Sequence, residues 1–183
     1  MRVITGVARG RKLITLEGLG IRPTTDMVKE AMFSIIQFEV GGANVLDLFC
    51  GSGQLGIEAL SRGARQCIFV DLSRQAQEVT RQNLQSTGLY KSSRVIAMDS
   101  TAFLRSTKEV FDIALLDPPY EQGMVEAALP LLVTRMSTEG AVLCETSQKE
   151  NLPEIAGDFE RKKEYRYGKI KLTLYRRQEE TRG

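Results

Sequence analysis

The chain has 183 residues, 42% of them hydrophobic, which is long enough for one well-buried core and short for two. It contains no histidine and only three scattered cysteines, which excludes catalytic triads, histidine general bases and zinc sites, and we expect no bound metal. No apolar run reaches the roughly 20 residues of a membrane helix, and the N-terminus lacks the apolar centre of a signal peptide, so we expect a cytoplasmic protein that does not bind membranes.

The first 43 residues are predicted to form a small extension ahead of a main domain at residues 44–183. The stretch "RVITGVARGRKLIT" predicts a small hairpin that turns at Ala8 to Gly10. The stretch "RPTTDMVKEAMFSII" predicts a helix that begins at Thr25 or Asp26, because both side chains can cap a helix N-terminus. The apolar stripe of this helix consists of Val28, Met32, Ile35 and Ile36.

From Asn44 onward, short apolar stretches alternate with longer amphipathic ones. The predicted strands are "NVLDLF", "CIFVD", "RVIAM", "FDIALLD" and "AVLCE", and the predicted helices lie between them. Ser73 is a plausible N-cap of one helix, and Gly88 is placed to end it. The alternation predicts βαβ units, with a parallel sheet that is covered by helices on both faces.

The tail "FERKKEYRYGKIKLTLYRR" predicts two extended segments that meet at Tyr167, Gly168 and Lys169. An antiparallel hairpin therefore completes the predicted α/β fold. Three cysteines lie in apolar stretches, at Cys50, Cys67 and Cys144. Isolated cysteines in such surroundings are typical of reduced core thiols rather than of disulfides.

Basic side chains are concentrated at the two ends of the sequence. Residues 1–29 hold six lysines and arginines against two acids, and residues 159–177 hold eight against two. Each basic run, taken alone, is more typical of a solvated surface than of a surface that binds a partner. If the fold brings both ends to one cleft, a polyanion becomes the expected partner.

The stretch "VLDLFCGSGQLG" matches two patterns. Its glycines spell G-x-G-x-x-G, the fingerprint of a dinucleotide site, while Asp47 places an acid at the end of the preceding strand. A dinucleotide brings an anionic pyrophosphate to this place, which an acid does not favour. S-adenosylmethionine instead carries an ammonium and a sulfonium, and a carboxylate favours both cations.

Two further acids end the next two predicted strands. Asp71 follows "IFV", where its carboxylate suits the paired hydroxyls of a ribose, and Asp99 follows "VIAM", where it could accept from an adenine amine. Each acid alone has an alternative role as a helix cap, Asp99 above all. Together with the glycines, the three acids favour an adenosyl cation.

The stretch "DPPY" directly follows the fourth predicted strand. The two prolines stiffen the backbone and remove two N–H donors, which leaves the Asp117 carboxylate and the Pro118 carbonyl as acceptors for an exocyclic –NH2. Tyr120 could stack on the base that carries this amine. The stretch therefore predicts methylation of an amine on a base that has been unstacked or flipped out of a nucleic acid.

Together, "RVITGVARGRKL", "RPTTDMVKEAMFSII", "VLDLFCGSGQLGIEALSRGA", "DPPY" and "YRYGKIKLTLYRR" resemble the RsmD-type bacterial methyltransferases over nearly the whole chain. The resemblance implies a class I methyltransferase (Rossmann-like) fold with a seven-stranded sheet. It also implies transfer of a methyl group from S-adenosyl-L-methionine to N2 of a guanine in 16S ribosomal RNA, of the guanine-966 type. The implied partner is small-subunit ribosomal RNA, within an assembling or assembled subunit, and we expect a monomer.

The resemblance also implies roles for individual residues. Cofactor contacts would fall on Asp47, Phe49, Gly51, Ser52, Gly53, Asp71, Leu72, Met98, Asp99 and Ser100. The catalytic role would fall on Asp117, Pro118, Pro119 and Tyr120. RNA contacts would fall on Arg9, Arg11, Lys12 and Arg22. For Arg22, a structural role ahead of Pro23 is an equal alternative.

Three alternatives stay open at this stage. The enzyme could act on an amine of DNA or tRNA, since "DPPY" does not distinguish adenine, cytosine and guanine. The glycine fingerprint also permits a nicotinamide dehydrogenase. The non-enzymatic alternative is an RNA-binding factor of ribosome assembly that retains the fold of a cofactor site.

Overall fold

The computed structural model describes residues 1–16 and 24–180, and a single mixed sheet runs through this part of the chain. Its strands are β1 (Asn44–Leu48), β2 (Gln66–Asp71), β3 (Ser93–Ala97), β4 (Phe111–Leu116), β5 (Met136–Ser147), β6 (Ile155–Ala156), β7 (Phe159–Tyr167) and β8 (Ile170–Arg177). They lie in the order β3-β2-β1-β4-β5-β8-β7-β6. The first five are parallel, and β8, β7 and β6 continue the sheet in antiparallel fashion.

This arrangement confirms the predicted α/β class, with the C-terminal hairpin turning at Gly168 and Lys169 between β7 and β8. The expected sheet has seven strands, and the described chain has an eighth, the two-residue β6 at the edge beside β7. So short a strand carries too few residues to show the alternation of apolar and polar positions from which strands are predicted.

Five α-helices connect the strands in the described residues: α1 (Asp26–Ile35), α2 (Gln54–Ser61), α3 (Arg74–Thr87), α4 (Ser100–Ser106) and α5 (Met124–Leu132). The side chain of Thr25 caps α1 by accepting from the backbone N–H of Val28, and Ser73 caps α3 in the same way. Gly88 ends α3 in the left-handed conformation, as its position predicts. None of these helices is long and apolar enough to cross a membrane.

Apolar side chains fill both faces of the sheet, because neighbouring residues of a buried strand point to opposite sides. On one face Val45 belongs to a cluster that includes Met32 and Phe33 of α1. On the other face Leu46 belongs to a cluster that includes Leu129 of α5. The three cysteines are buried and free, as expected of core thiols.

The N-terminal segment forms the predicted small hairpin and packs on α2. It turns near Ala8 to Gly10, and its two arms meet at an antiparallel bridge between Arg2 and Lys12, flanked by the bonds of the Val3 N–H to the Arg11 carbonyl and of the Leu13 N–H to the Met1 carbonyl at 2.9 and 3.0 Å. The carboxylate of Glu58, fully buried in α2, accepts from the backbone N–H groups of Ile4 and Thr5 at 2.9 and 3.0 Å. Contacts with α2 thus add to the hydrogen bonds between the two arms of the hairpin.

Candidate active site

The carboxyl ends of β1, β2, β3 and β4 border a cavity of about 770 Å³. Eleven of the fourteen residues predicted for the cofactor and for catalysis line it: Phe49, Gly51, Asp71, Leu72, Met98, Asp99, Ser100, Asp117, Pro118, Pro119 and Tyr120. A smaller cavity of about 50 Å³ is lined by two more, Asp47 and Ser52. Three residues line both spaces, namely Phe49, Gly51 and Asp117. The predicted residues therefore meet at one edge of the sheet, where ligands of open α/β sheets bind.

The loop after β1 has an unusual backbone. Phe49 has a φ of 65°, in the left-handed region that bulky residues rarely occupy, and Gly51 follows with a φ of 55°. The N–H of Gly51 donates to the Asp71 carboxylate at 2.9 Å, and the hydroxyl of Thr80 donates to the Gly51 carbonyl at 2.8 Å. These contacts hold the loop in shape, with its backbone exposed to the cavities.

Asp47 is a buried acid with one hydrogen bond. Its side chain lies beneath the glycine loop, 1% exposed, and accepts from the N–H of Gly56 at 2.9 Å. Burial raises the pKa of Asp47 well above its usual value, with a further contribution from the negative charge of Asp71. The carboxylate form is therefore costly here unless a cation enters the adjoining space.

The other two glycines of the fingerprint have packing roles. Gly53, the cofactor residue that lines neither cavity, begins α2 with a φ of 81°, and an added Cβ there would lie 2.8 Å from Thr80. At Gly56, an added Cβ would lie 2.3 Å from the Phe69 ring and 2.7 Å from Cys67 Sγ. The close contact between α2 and β2 thus accounts for a glycine at Gly56. A role in binding a phosphate is not needed to explain it.

The strand-end acids Asp71 and Asp99 both serve as local hydrogen-bond acceptors. Asp71 accepts from Gly51 through Oδ2 and from the N–H of Ser73 through Oδ1, each at 2.9 Å. Asp99 caps α4 by accepting from the N–H of Ala102 at 3.0 Å and from the Thr101 hydroxyl at 2.7 Å. These bonds lower the pKa of Asp99 and keep it ionised. The cap that was an alternative for Asp99 is present, in a side chain that also lines the cavity.

The "DPPY" stretch forms one wall of the larger cavity. Pro118 is buried, while Asp117 and Tyr120 are half-buried. One oxygen of Asp117, Oδ2, accepts from the Thr24 hydroxyl at 2.6 Å, and the Tyr120 hydroxyl donates to Glu145 Oε1 at 2.5 Å. Burial, followed by the charge of Glu145, raises the pKa of Asp117 well above its usual value.

Several side chains at the site were not predicted, among them Thr24, Glu145 and Gln54. Thr24 and Glu145 contact the "DPPY" stretch, as just described, and Gln54 lines the smaller cavity. Gln54 is 7% exposed, and its Oε1 is buried without a hydrogen-bond partner among residues 1–16 and 24–180. An acid in the apolar stretch "AVLCE" and a glutamine inside the glycine loop were the available signals, because buried polar residues require partners.

The N-terminal segment also reaches the site. Met1, Thr15 and Leu16 line the smaller cavity, and Asn83 of α3 bonds to both backbone groups of Ile14, at 2.8 and 3.0 Å. The same Asn83 amide donates to the carbonyl of Ser52 in the glycine loop at 2.9 Å. One side chain thus joins the extension to the loop.

The predicted RNA-binding residues lie on the surface where they are described. Arg9, Arg11 and Lys12 are exposed, and none makes an ion pair within residues 1–16 and 24–180. Arg22 lies outside the described residues. The second basic run differs, because most of its cations pair with nearby acids, as in Arg161 with Glu154 and Glu164.

Comparison with known proteins identifies the family of the chain. The family model described as "Conserved hypothetical protein 95" matches residues 1–176. The chain is 37% identical to YlbH of Bacillus subtilis (strain 168), with 97% of this chain and 99% of the relative covered. It is 32% identical to "Ribosomal RNA small subunit methyltransferase D" of Escherichia coli (strain K12), with 97% and 90% covered. The solved structure of yhhF from Escherichia coli superposes with a TM-score of 0.87 at 31% identity, over 97% of this chain and 98% of the other. The chain therefore belongs to the conserved hypothetical protein 95 family and, within it, to the ribosomal RNA small subunit methyltransferase D group.

Proposed function

We propose that the protein transfers a methyl group from S-adenosylmethionine to the exocyclic amine, N2, of one guanine in 16S ribosomal RNA. The observation that carries this proposal is the position of Asp117. Its carboxylate stands where β4 ends, on the wall shared by both cavities, and Pro118 and Tyr120 lie beside it. The rRNA substrate is proposed from the relatives of Escherichia coli and Haemophilus influenzae, both of which are named ribosomal RNA small subunit methyltransferase D.

The chemistry of the lining residues fits S-adenosylmethionine. The buried Asp47 carboxylate and the unpartnered Gln54 Oε1 border the smaller cavity, where together they suit the ammonium of the methionine part. Asp71 and Asp99 border the larger cavity, where they suit the ribose hydroxyls and the adenine amine, with Phe49, Leu72 and Met98 as apolar contacts. When bound, the cofactor supplies an electrophilic methyl group, whose transfer forms an N–C bond, breaks a C–S bond and leaves a neutral sulfur.

The protein's own residues activate the amine by position and charge. A guanine amine is a weak nucleophile, because its lone pair is delocalised into the ring. Acceptance of its two N–H bonds by the Asp117 carboxylate and the Pro118 carbonyl favours a pyramidal nitrogen with an available lone pair. The proton that the nitrogen loses after transfer passes to Asp117 Oδ1. Tyr120 stacks on the base, which must be unpaired or flipped out to enter.

Residues 1–43 act in this proposal as the RNA-contacting extension of the catalytic domain at 44–183. The support is the set of exposed, unpaired cations Arg9, Arg11 and Lys12 on the segment that also lines the smaller cavity. Small-subunit RNA is present in the cytoplasm as naked transcript and as assembling particles, and the protein acts there as a monomer. The salt dependence of binding would report these phosphate contacts.

Mapping of modified nucleotides tests the proposal. Small-subunit particles and naked 16S RNA from a strain that lacks this protein are incubated with the purified enzyme and labelled cofactor, with duplex DNA and tRNA as competitors. We expect label on N2 of one guanine in the small-subunit RNA, identified by mass spectrometry of nuclease fragments. Label confined to DNA or tRNA, or none with any substrate, would refute the proposal.

A further inference from the structure

A buried chain of hydrogen bonds leads away from Asp117 to a second carboxyl group. Glu145 lies on β5, one residue after Cys144, which pairs with Leu116 at the end of β4. Asp117 and Glu145 therefore stand side by side at the carboxyl ends of two parallel strands. Glu145 is 1% exposed, which is unusual for an acid that forms no ion pair with the described residues.

One hydroxyl lies between the two acids. Thr24 Oγ1 is 2.6 Å from Asp117 Oδ2 and 3.1 Å from Glu145 Oε2. A hydroxyl has one proton and can donate to only one carboxylate at a time. The other contact is a hydrogen bond only when that carboxyl group is protonated and donates to the hydroxyl oxygen. Both contacts are satisfied together when the two acids hold a single proton.

The remaining oxygen of Glu145 accepts from the Tyr120 hydroxyl at 2.5 Å. With the proton on Glu145, every bond of the chain has a donor and an acceptor: Tyr120 donates to Glu145, Glu145 to Thr24, and Thr24 to Asp117. Asp117 is then ionised, and its second oxygen has no protein partner among the described residues. That oxygen is the one available for the amine.

We propose that Glu145 is a positioning residue for methyl transfer, which shares one proton with Asp117 across Thr24 and thereby fixes Asp117 and Tyr120 against the base. This inference rests on the proposed function for its kinetic part, while the shared proton is a property of the protein alone. It also gives a role to Thr24 of the "RPTT" stretch, because Thr24 links the N-terminal extension to the carboxyl ends of β4 and β5.

The electrostatics of the site agree with one shared proton. Burial raises the pKa of Glu145, and burial together with Glu145 raises the pKa of Asp117. The other ionisable groups nearby are Asp47, whose charge opposes ionisation of Asp117, and the Tyr120 phenol. No described lysine or arginine pairs with either acid, so loss of the shared proton would leave two negative charges together, one fully buried and one half-buried.

Four variants of Glu145 and Thr24 separate positioning from simple stability. In Glu145→Gln the amide can donate to Thr24 and accept from Tyr120, as the protonated acid does, so we expect kcat within about tenfold of the wild type. Glu145→Leu breaks both bonds, and we expect kcat to fall about 100-fold, with KM for the cofactor changed less than threefold. Thr24→Ser should behave like the wild type and Thr24→Val like Glu145→Leu.

The pH profile gives the second kinetic readout. The wild type should lose activity at low pH, when both acids are protonated, and at high pH, when the shared proton leaves. Glu145→Gln has no such proton to lose, so the alkaline loss should disappear while the acid loss stays. An unchanged alkaline limb in this variant, or equal kcat in the Gln and Leu variants, would overturn the proposal.

A measurement without substrate keeps the inference separate from the proposed function. Carboxyl ¹³C NMR of the protein, with Asp117→Asn and Glu145→Gln for assignment, should detect one proton on the pair at pH 7. Two fully ionised carboxylates at that pH would refute the shared proton, even if the enzyme methylates its RNA as proposed. Conversely, failure to methylate rRNA with one proton detected would refute only the proposed function.

Discussion

The N–H of Gly56 in α2 donates to the buried carboxylate of Asp47 in β1, and this bond joins the two ends of the glycine loop. The bond orients an acid whose charged form is disfavoured by its surroundings, as its raised pKa shows. A buried carboxylate at this position lowers the stability of the ligand-free protein. Cation binding would recover that stability.

Replacement of Asp47 by asparagine should separate stability from binding. Asparagine Oδ1 can still accept from Gly56, but it carries no charge, so we expect Tm to rise by about 2–4 °C at pH 8, or about 1 kcal/mol. Because the folded pKa of Asp47 lies above the unfolded value of 3.8, the cost of the acid grows as pH rises from 3.8 to the folded pKa and is absent below it. The gain in Tm should therefore vanish toward pH 3.8.

The same Asp47→Asn variant should bind S-adenosylmethionine at least tenfold more weakly in calorimetry, since the negative charge beside the cation is lost. Asp112→Asn is a matched control, because Asp112 also accepts from a backbone N–H, that of Asn44, but lines neither cavity. Equal losses of cofactor affinity in both variants would place the cation elsewhere.

Substitution of Gly56 tests the close contact of α2 with β2. An alanine Cβ would overlap the Phe69 ring and Cys67 Sγ, so the helix must shift, and we expect Gly56→Ala to lower the free energy of unfolding by about 1–3 kcal/mol. Gly41→Ala is the control, because an added Cβ meets nothing within 4 Å there and φ is not positive. Denaturant unfolding that gives equal stabilities for the two variants would contradict this packing.

Local signals in the sequence were sufficient for much of the fold. The Ser73 cap, the Gly88 end of α3 and the hairpin turn at Gly168 each depend on a few adjacent residues, and all three are present as predicted. The acids at strand ends could be found for the same reason, since parallel strands place their carboxyl ends at one edge.

Contacts between distant parts of the chain could not be predicted in this way. Thr24 and Glu145 are 121 residues apart, and they meet because the segment ahead of α1 packs where β4 and β5 lie side by side. The docking of the N-terminal segment on Glu58 is similar, because the turn of its hairpin depends on adjacent residues, whereas its hydrogen bonds to a side chain of α2 do not. Sequence patterns show that a buried acid needs a partner, but the packing of distant segments decides which residue is that partner.

Removal of the unpaired oxygen of Gln54 should have opposite effects on stability and binding. Gln54→Leu replaces a buried acceptor that has no partner, so we expect the ligand-free protein to gain about 1 kcal/mol in the free energy of unfolding. If the oxygen accepts from the cofactor ammonium, affinity should fall about tenfold. Gln82→Leu, at an exposed position of α3, should change neither quantity. Unchanged affinity in Gln54→Leu would exclude the contact.

The exposed cations of the N-terminal segment should govern the salt dependence of RNA binding. Replacement of Arg9, Arg11 and Lys12 by alanine removes up to three of the proposed phosphate contacts, so the slope of log K against log salt should fall by about 2. Lys162→Gln with Arg177→Gln is the control, because both cations already face acids of the protein. Filter binding at several salt concentrations measures both slopes, and equal slopes would show that this segment does not contact phosphates.

Asp117→Ala is the most direct test of the catalytic role proposed for the "DPPY" stretch. Alanine removes the proposed acceptor for the amine and for its proton, and it also removes one partner of the Thr24 hydroxyl, so we expect methyl transfer to fall at least 1,000-fold. The predicted cofactor contacts are left intact, and affinity for S-adenosylhomocysteine should stay within about tenfold in calorimetry. Glu139→Gln, an exposed acid on the same strand as Glu145, should leave both quantities unchanged. A comparable loss of cofactor affinity and transfer in Asp117→Ala would mean that Asp117 holds the cofactor rather than the base.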